Sequence, residues 1–311
     1  VTGVQTCALP IFGNFGDRFA KICETFGAVV EKIDFPWGTA ADPELLADVI
    51  KKDTDQEIRA VYVTHNETST GVTNDLPKLR KALGDHPALF IVDSVSGLGA
   101  MELGTDAWNL DVVVAGSQKS FMIPPGLSFV SVSERAWEVA KKCTNARYYW
   151  DLLDARKYAE KGQTPYTPAI PQLNALAESL QMIKNEGLPQ VFARHRLLRD
   201  MVRAGVRAQG LELLVADDVA SCAVTAVLAP AGSDADTIRS TLRDRFNVVV
   251  AGGQNQLKNK IFRIGHLGYV QELDILTVLA ALEMSLAING LPVNLGQGVR
   301  AAQEIAMKAN A

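Results

Sequence analysis

The chain has 311 residues, enough for two domains, and 48% of them are hydrophobic while 21% are charged. Its net charge of −4 comes without a basic stripe, which argues against nucleic acid as a partner, and no apolar run is long enough to cross a bilayer. The four cysteines lie far apart without the paired spacing of metal ligands, so we expect reduced thiols, no metal site and a cytoplasmic protein.

The first eleven residues, 1–11, show the period of neither a strand nor a helix, and they run abruptly into the segment that begins at Phe12. They are similar to the translated adapter fragments that contaminate assembled sequences. We therefore interpret 1–11 as a non-native junction and leave it out of the predicted fold. An ordinary frayed terminus is the alternative.

After this segment, strand-like and helix-like segments alternate. Helices are predicted at 42–52, where Asp42 can cap the helix and Pro43 takes its first position, and at 74–84. This alternation predicts an α/β fold with a mostly parallel sheet. The predicted strands of this part are 28–33, 58–64, 88–93, 110–116 and 127–133.

The pattern changes from Pro171 onward, where two helices follow each other and are separated by Gly187. Shorter strands and two more helices come after them, which predicts a smaller α/β domain. We expect a large domain over 12–190 and a small domain over 191–311. The predicted strands of the second block are 211–215, 223–229, 247–250 and 261–265, and its helices are 234–246 and 271–288.

An aspartate and a lysine at strand ends point to chemistry. Asp93 ends the apolar run ALFIVD, and Lys119 follows the run DVVVAGSQ. The carboxyl ends of strands in an open parallel sheet face the ligand crevice. Such a pair suits pyridoxal 5′-phosphate (PLP), because the lysine can bond covalently to the cofactor and the aspartate can keep its pyridine nitrogen protonated. The structural alternative is an internal ion pair between neighbouring strand ends.

Three separated motifs resemble a known family. They are VTHNETSTGVTND, the long run from IVDSVSGLG to GSQKSFMIPPGLSFVSVSE, and FRIGHLG. In order and spacing they resemble the class V aminotransferases of PLP fold type I. The likeness is greatest to the alanine–glyoxylate and serine–glyoxylate (serine–pyruvate) aminotransferases, and it covers nearly all of 12–290.

The resemblance implies a role for each matching residue. Lys119 is implied to be the covalent attachment point and the base that moves a proton between the substrate Cα and the cofactor, while Asp93 pairs with the pyridine nitrogen. Thr68 is implied to contact the cofactor near its phenolic oxygen, Gln118 to contact the phosphate, and Phe15 to stack on the ring. Without the resemblance, Thr68 is typical of a turn hydroxyl and Phe15 of a core aromatic.

Two further matches concern the substrate and a second subunit. Arg263, in FRIG, matches the arginine that binds the substrate α-carboxylate with both forks, and its structural alternative is an ion pair. Thr167, in TPYTPAIP, matches a phosphate contact from the neighbouring subunit, which implies a homodimer with shared active sites. At Thr164 some relatives carry an aromatic residue of the partner's site, and this departure blurs any transfer of substrate preference.

The implied activity is transamination between a small amino acid, alanine or serine, and a small 2-oxo acid, glyoxylate or pyruvate. A single arginine without an evident second one favours these small donors. The family carries further strand–helix units before the stacking aromatic, including a phosphate-binding helix terminus. Here Phe15 comes almost at once. We therefore expect an N-terminally truncated copy.

Two other functions compete with transamination. One is a class V lyase similar to the cysteine desulfurases or kynureninases. Desulfurases resemble a pattern with histidine directly before the lysine, where this chain has Gln118, and they need a cysteine on a mobile loop, whereas Cys222 lies in a strand-like run. The other is an inactive, cofactor-free fragment.

Overall fold

The computed structural model describes residues 5–309. Its strands are β1 (Thr6–Ile11), β2 (Val29–Asp34), β3 (Ile58–Thr64), β4 (Asn66–Glu67), β5 (Val72–Thr73), β6 (Leu89–Asp93), β7 (Val112–Gly116), β8 (Ser128–Val132), β9 (Val224–Leu228), β10 (Ala251–Gly252) and β11 (Ile261–Gly265). Its α-helices are α1 (Asn14–Thr25), α2 (Pro43–Lys52), α3 (Leu76–Ala82), α4 (Glu134–Ala140), α5 (Leu152–Ala159), α6 (Ile170–Glu186), α7 (Leu188–Ala208), α8 (Ala235–Phe246), α9 (Glu272–Ile288) and α10 (Gln297–Ala309).

Six strands form the large sheet, in the order β2-β1-β3-β6-β7-β8. All neighbours in it pair in parallel except β7 and β8, which are antiparallel. Side chains of α2 and α3 pack in one buried cluster with this sheet, while α1 and α4 contribute to another. The predicted α/β fold with a mostly parallel sheet is confirmed. Buried β-branched runs such as 58–64 and 112–116 form inner strands of the sheet because they need apolar partners on both sides.

The start of the chain differs from the prediction. Residues 6–11, which we expected to lack regular structure, form β1 between β2 and β3. Pro10 is tolerated inside the sheet because the pairing of β1 with β3 covers Thr6 to Ala8 and ends before the proline. Residues 1–4 lie outside the described part, and the non-native origin of 1–11 stays a prediction.

The C-terminal part has its own sheet and core. The small sheet is antiparallel, in the order β10-β11-β9, and it shares a buried cluster with α7, α8, α9 and α10. Two strand predictions here are wrong. Segment 211–215 makes one isolated bridge to β9, and Asn247 takes a left-handed φ of 55° that ends α8, so 247–250 forms no ladder. The predicted boundary at 190 falls in the first turn of α7, and the division into 12–190 and 191–311 stays a prediction.

Candidate active site

The site lies at the carboxyl edge of the large sheet, where three strands end side by side. Thr64 at the end of β3 pairs with Asp93 at the end of β6, and Asp93 pairs in turn with Val114 of β7. The chain leaves β7 at Gly116 and turns, so that Lys119 follows the strand by three residues. Parallel pairing therefore brings the two predicted strand-end groups to one edge.

Asp93 and Lys119 form neither an ion pair nor a hydrogen bond with each other. Within residues 5–309 the Asp93 carboxylate accepts one hydrogen bond, 2.9 Å from the Val95 N–H, and the Lys119 amine makes neither a hydrogen bond nor an ion pair. This geometry contradicts the structural alternative of an internal ion pair. A buried carboxylate and a half-buried amine that both lack a counter-ion in contact are costly in a folded protein, unless a ligand uses them.

Burial shifts the pKa values of both groups toward their neutral forms. It raises the pKa of Asp93 to about 6, an effect that the Glu67 charge increases and the Lys119 charge opposes. Burial also lowers the pKa of Lys119, and the nearby Arg263 charge lowers it further. A lysine that loses its proton more easily is a better nucleophile and base, which is the property that covalent cofactor chemistry needs.

Thr68 lies in the turn between β4 and β5, across from the segment that follows β6. Its hydroxyl is 2.6 Å from the Ser96 hydroxyl, which also accepts from the Asn66 amide at 2.9 Å. Beside them the buried His65 ring nitrogen Nδ1 is 3.0 Å from the Ser94 hydroxyl, and burial lowers the pKa of His65 to about 4. Thr68 thus belongs to a linked row of small polar side chains rather than to an isolated turn.

Arg263 reaches the site from β11 of the small sheet. Its Nε donates to the Gly252 carbonyl at 2.9 Å and its Nη1 donates to the Thr68 carbonyl at 2.7 Å. Nη2 has no hydrogen bond within residues 5–309. The guanidinium is buried and makes no ion pair in the same part of the chain, so the predicted structural alternative does not apply. The hydrogen bond from Nη1 to the Thr68 carbonyl thereby joins the small sheet to the segment that carries Thr68. Within residues 5–309 Nη2 remains free to donate to a ligand.

The turn after β11 closes over the lysine loop. Gly268 has a φ of +80°, and a Cβ atom there would lie 3.4 Å from the Lys119 carbonyl oxygen and 3.3 Å from Met122 Cγ. Its N–H donates to the buried His195 ring at 3.1 Å. A residue with a side chain is disfavoured here both by the left-handed backbone and by this close approach.

Phe15 lies in the first turn of α1 and is partly buried. The guanidinium carbon of the exposed Arg18 lies 4.9 Å from the centroid of its ring. Gly16, which follows Phe15 in α1, lines a small cavity together with Asp93, so the start of α1 lies near the strand-end carboxylate. Gln118 is exposed beside Lys119, and its side chain folds back near Gly116.

Thr167 is not brought to this edge by contacts in the described part of the chain. It lies exposed between α5 and α6, close in sequence to Thr164, whose hydroxyl donates to the Tyr166 carbonyl at 2.6 Å. The aromatic patch beside it, defined by the exposed rings of Tyr148, Tyr149, Trp150 and Tyr166, contains a stacked pair with centroids 4.5 Å apart.

One residue of this site was not predicted. Glu67 is fully buried, and its carboxylate accepts hydrogen bonds from the N–H groups of Phe15 and Gly16 at 3.0 and 3.2 Å. It also accepts from the N–H and hydroxyl of Ser69, at 3.0 and 2.5 Å. The one local sequence signal was an acidic residue within the polar run HNETST, which follows β3.

The donor set fits PLP. The cofactor presents an aldehyde, a pyridine nitrogen that carries a proton, and a flat ring. Within residues 5–309 the site offers an amine without a hydrogen-bond partner and a buried carboxylate without a cation in contact, and the aromatic Phe15 precedes Gly16, which lines a cavity with Asp93. Within residues 5–309 no group of three or more His, Cys, Asp or Glu side chains is placed to hold a metal ion.

The comparisons agree with this chemistry. A family model described as aminotransferase class-V matches residues 19–270. The chain belongs to the class-V aminotransferase family. The solved structure of pyridoxamine–pyruvate aminotransferase from Mesorhizobium loti matches with a TM-score of 0.93 and 31% identity, over 100% of this chain and 80% of that one. The predicted PLP type I fold, the aminotransferase class and the cofactor PLP are thereby confirmed.

Two relatives illustrate the range of names among similar proteins. Serine–glyoxylate aminotransferase of Hyphomicrobium methylovorum is 42% identical over 298 residues, which is 94% of this chain and 74% of the relative. A protein of Anabaena cylindrica named soluble hydrogenase 42 kDa subunit is 47% identical over 295 residues, 94% of this chain and 77% of that protein. Its name departs from the family, yet this class-V aminotransferase chain carries the lysine, aspartate and arginine described above.

Proposed function

We propose that this aminotransferase transfers the amino group of alanine or serine to glyoxylate or pyruvate. One observation carries the proposal. At one edge of the large sheet an amine (Lys119), a buried carboxylate (Asp93) and a buried guanidinium (Arg263) meet, and within residues 5–309 none of them is neutralised by an ion pair. Transamination needs these three functions, for covalent attachment, for the ring nitrogen and for the substrate carboxylate.

Each residue has a task that follows from its surroundings. Bound PLP supplies the electron sink for the bond broken at the substrate Cα. The Lys119 amine, whose pKa burial lowers, would hold the cofactor covalently at rest; once the substrate amine had displaced it, the freed amine would accept and return the Cα proton. The Asp93 carboxylate would hold a proton on the ring nitrogen of bound PLP, and the Thr68 hydroxyl would bind its phenolic oxygen. Arg263 orients the substrate by binding both oxygens of its carboxylate.

The preference for small donors rests on how few buried cations are available. Among the described residues the buried arginines are Arg203 and Arg263, and Arg203 is committed to Asp217 in the C-terminal part. Arg263 is then left for the α-carboxylate, and a donor with a second carboxylate would need a cation from a residue that is not fully buried. The names of the similar serine–glyoxylate and pyruvate-using enzymes support the same acceptors.

The proposed active unit is a homodimer in the cytoplasm. The exposed aromatic patch is the kind of surface that association covers, because large exposed apolar patches on monomers mark interaction sites. Thr167 is adjacent to this patch, which supports its proposed contact with the phosphate in the partner's site. Four free cysteines support a reducing compartment, and no helix within residues 5–309 is long and apolar enough to cross a membrane.

A lyase reaction has less support. Cys222 is buried rather than mobile, with its sulfur 3.6 Å from Arg199 Nη1, and burial raises the pKa of its thiol. The decisive experiment gives the PLP-loaded protein alanine, serine, aspartate or cysteine in turn, with glyoxylate or pyruvate as acceptor. We expect glycine to form from glyoxylate with alanine or serine as the donor, and alanine to form from pyruvate with serine as the donor, since alanine with pyruvate gives no net change. Release of sulfide from cysteine without amino transfer would contradict the proposal.

A further inference from the structure

Helix α1, which carries Phe15, begins without a capping side chain of its own. Its N-cap residue is Gly13, and a helix normally leaves its first N–H groups unsatisfied unless a side chain or ligand accepts from them. Here the Asn14 N–H donates to the Ser69 hydroxyl at 2.9 Å, and the next two N–H groups donate to Glu67. The cap is therefore supplied by Glu67 of β4 and by Ser69 in the turn after it, more than 50 residues away.

We propose that Glu67 is a positioning residue that anchors the first turn of α1 to the turn between β4 and β5, and so fixes Phe15 against the cofactor ring. This inference rests on the proposed role of Phe15. The same β4–β5 turn carries Thr68, whose carbonyl accepts from Arg263. One carboxylate thus joins the segments that hold the ring-stacking residue, the residue at the phenolic oxygen and the substrate arginine.

The chemistry at Glu67 requires a carboxylate. Its Oε2 accepts from the N–H groups of Phe15 and Gly16, and its Oε1 accepts from the N–H and the hydroxyl of Ser69. All four partners point donors at it, because the Ser69 oxygen already accepts from Asn14. A carboxamide has one acceptor oxygen and one NH₂ group, so Glu67→Gln would turn a donor toward two other donors.

The fit around Glu67 is tight from the helix side as well. A Cβ atom on Gly13 would lie 2.3 Å from Glu67 Cδ, closer than atoms can approach. Gly13 has an extended φ of 177°, so its glycine is explained by this contact and not by backbone strain. Gly13→Ala therefore moves the carboxylate away from the helix without changing its charge, and serves as a second, independent perturbation.

The chain provides a matched control at another buried glutamate. Glu283 of α9 accepts from the N–H groups of Gly296 and Gly298 at 2.7 Å each, and so caps α10 in the C-terminal core. Glu283→Gln makes the same chemical change at a helix start that carries no proposed site residue. Loss of a buried cap alone should speed amide exchange at the affected helix start in both variants. Weaker PLP binding, in contrast, should follow only from the change at Glu67.

The experiment compares wild type, Glu67→Gln, Gly13→Ala and Glu283→Gln. Amide hydrogen exchange of the cofactor-free proteins should speed up at 14–17 in the first two variants and at 296–298 in the third. Titration with PLP should show at least tenfold weaker binding for Glu67→Gln and Gly13→Ala, and less than a twofold change for Glu283→Gln. If Glu67→Gln does not fold, Gly13→Ala is the variant that decides.

Three results would overturn the inference. They are unchanged exchange at 14–17, faster exchange there with wild-type PLP affinity, and equal losses of PLP affinity in the Glu67 and Glu283 variants. Failure of the proposed function is a separate outcome, since it would appear as a wild-type protein that binds PLP but transfers no amino group. The exchange measurement on cofactor-free protein is independent of that result.

Discussion

Replacing Asp93 by asparagine should stabilise the cofactor-free protein at neutral and alkaline pH. Burial raises the pKa of Asp93 from its ordinary value of 3.8 to about 6, so the folded state holds its proton more tightly than the unfolded state does. A group of this kind lowers stability as the pH rises from the unfolded to the folded pKa. Asparagine is neutral throughout and can still accept from the Val95 N–H through its oxygen.

The size of the effect follows from the two pKa values. Each pH unit between them corresponds to about 1.4 kcal/mol, so the wild-type penalty reaches about 3 kcal/mol once the pH exceeds both. The same relation gives about 1.5 kcal/mol at pH 5 and about 3 kcal/mol at pH 8. The asparagine variant should therefore gain stability over wild type, and the gain should grow by about 1.5 kcal/mol across this range.

The assay is urea unfolding of the cofactor-free proteins at pH 5 and pH 8, with exposed Asp48→Asn as the control for a general change in net charge. The same Asp93 variant should bind PLP weakly and lose at least about a hundredfold in turnover, because asparagine carries no charge to hold a proton on the ring nitrogen. The wild-type aspartate is thus kept for function at a cost in stability. A gain that does not change with pH would indicate packing rather than titration. A variant less stable than wild type at pH 8 would show that the buried Asp93 charge does not destabilise the folded protein.

Arg263→Lys should raise the KM for alanine at least about tenfold while the absorbance of bound PLP remains, because lysine offers a point charge where the guanidinium offers a fork; normal alanine binding would require another carboxylate site. Mixing Thr167→Ala with Lys119→Ala chains should give more activity than the sum of the separate proteins, because a shared-site dimer then contains one intact site. Strict additivity, with a monomer in ultracentrifugation, would contradict the shared site.

The parts of the fold that could be predicted are those that local sequence encodes. Runs of β-branched residues ending in Asp93 and shortly before Lys119 predicted strands, and the rule that ligands bind at the carboxyl edge of a parallel sheet predicted that the two would meet there. Their pairing partners are also apolar strands, so pattern and tertiary structure agree. Thr68 could be named only through the resemblance, because hydroxyls in turns are common.

The parts that could not be predicted depend on distant partners. Segment 6–11 contains Pro10, which locally argues against an interior strand, and it is accepted because its pairing with β3 ends first. Segment 247–250 looks like a strand, but it leaves Val249 78% exposed after the left-handed Asn247. Glu67 was missed for the same reason, since its four donors come from Ser69 and from a helix start 51 residues earlier.

The assignment of Lys119 can be tested by locating the covalent attachment point of PLP. PLP-loaded protein is reduced with borohydride and digested, and the labelled peptide is sequenced by mass spectrometry. We expect a single label on Lys119, in the peptide that follows β7, and no label after Lys119→Ala. Lys141 and Lys142 are exposed lysines nearby in the chain and serve as internal controls. A label on either of them, or on any lysine other than Lys119, would contradict the assignment.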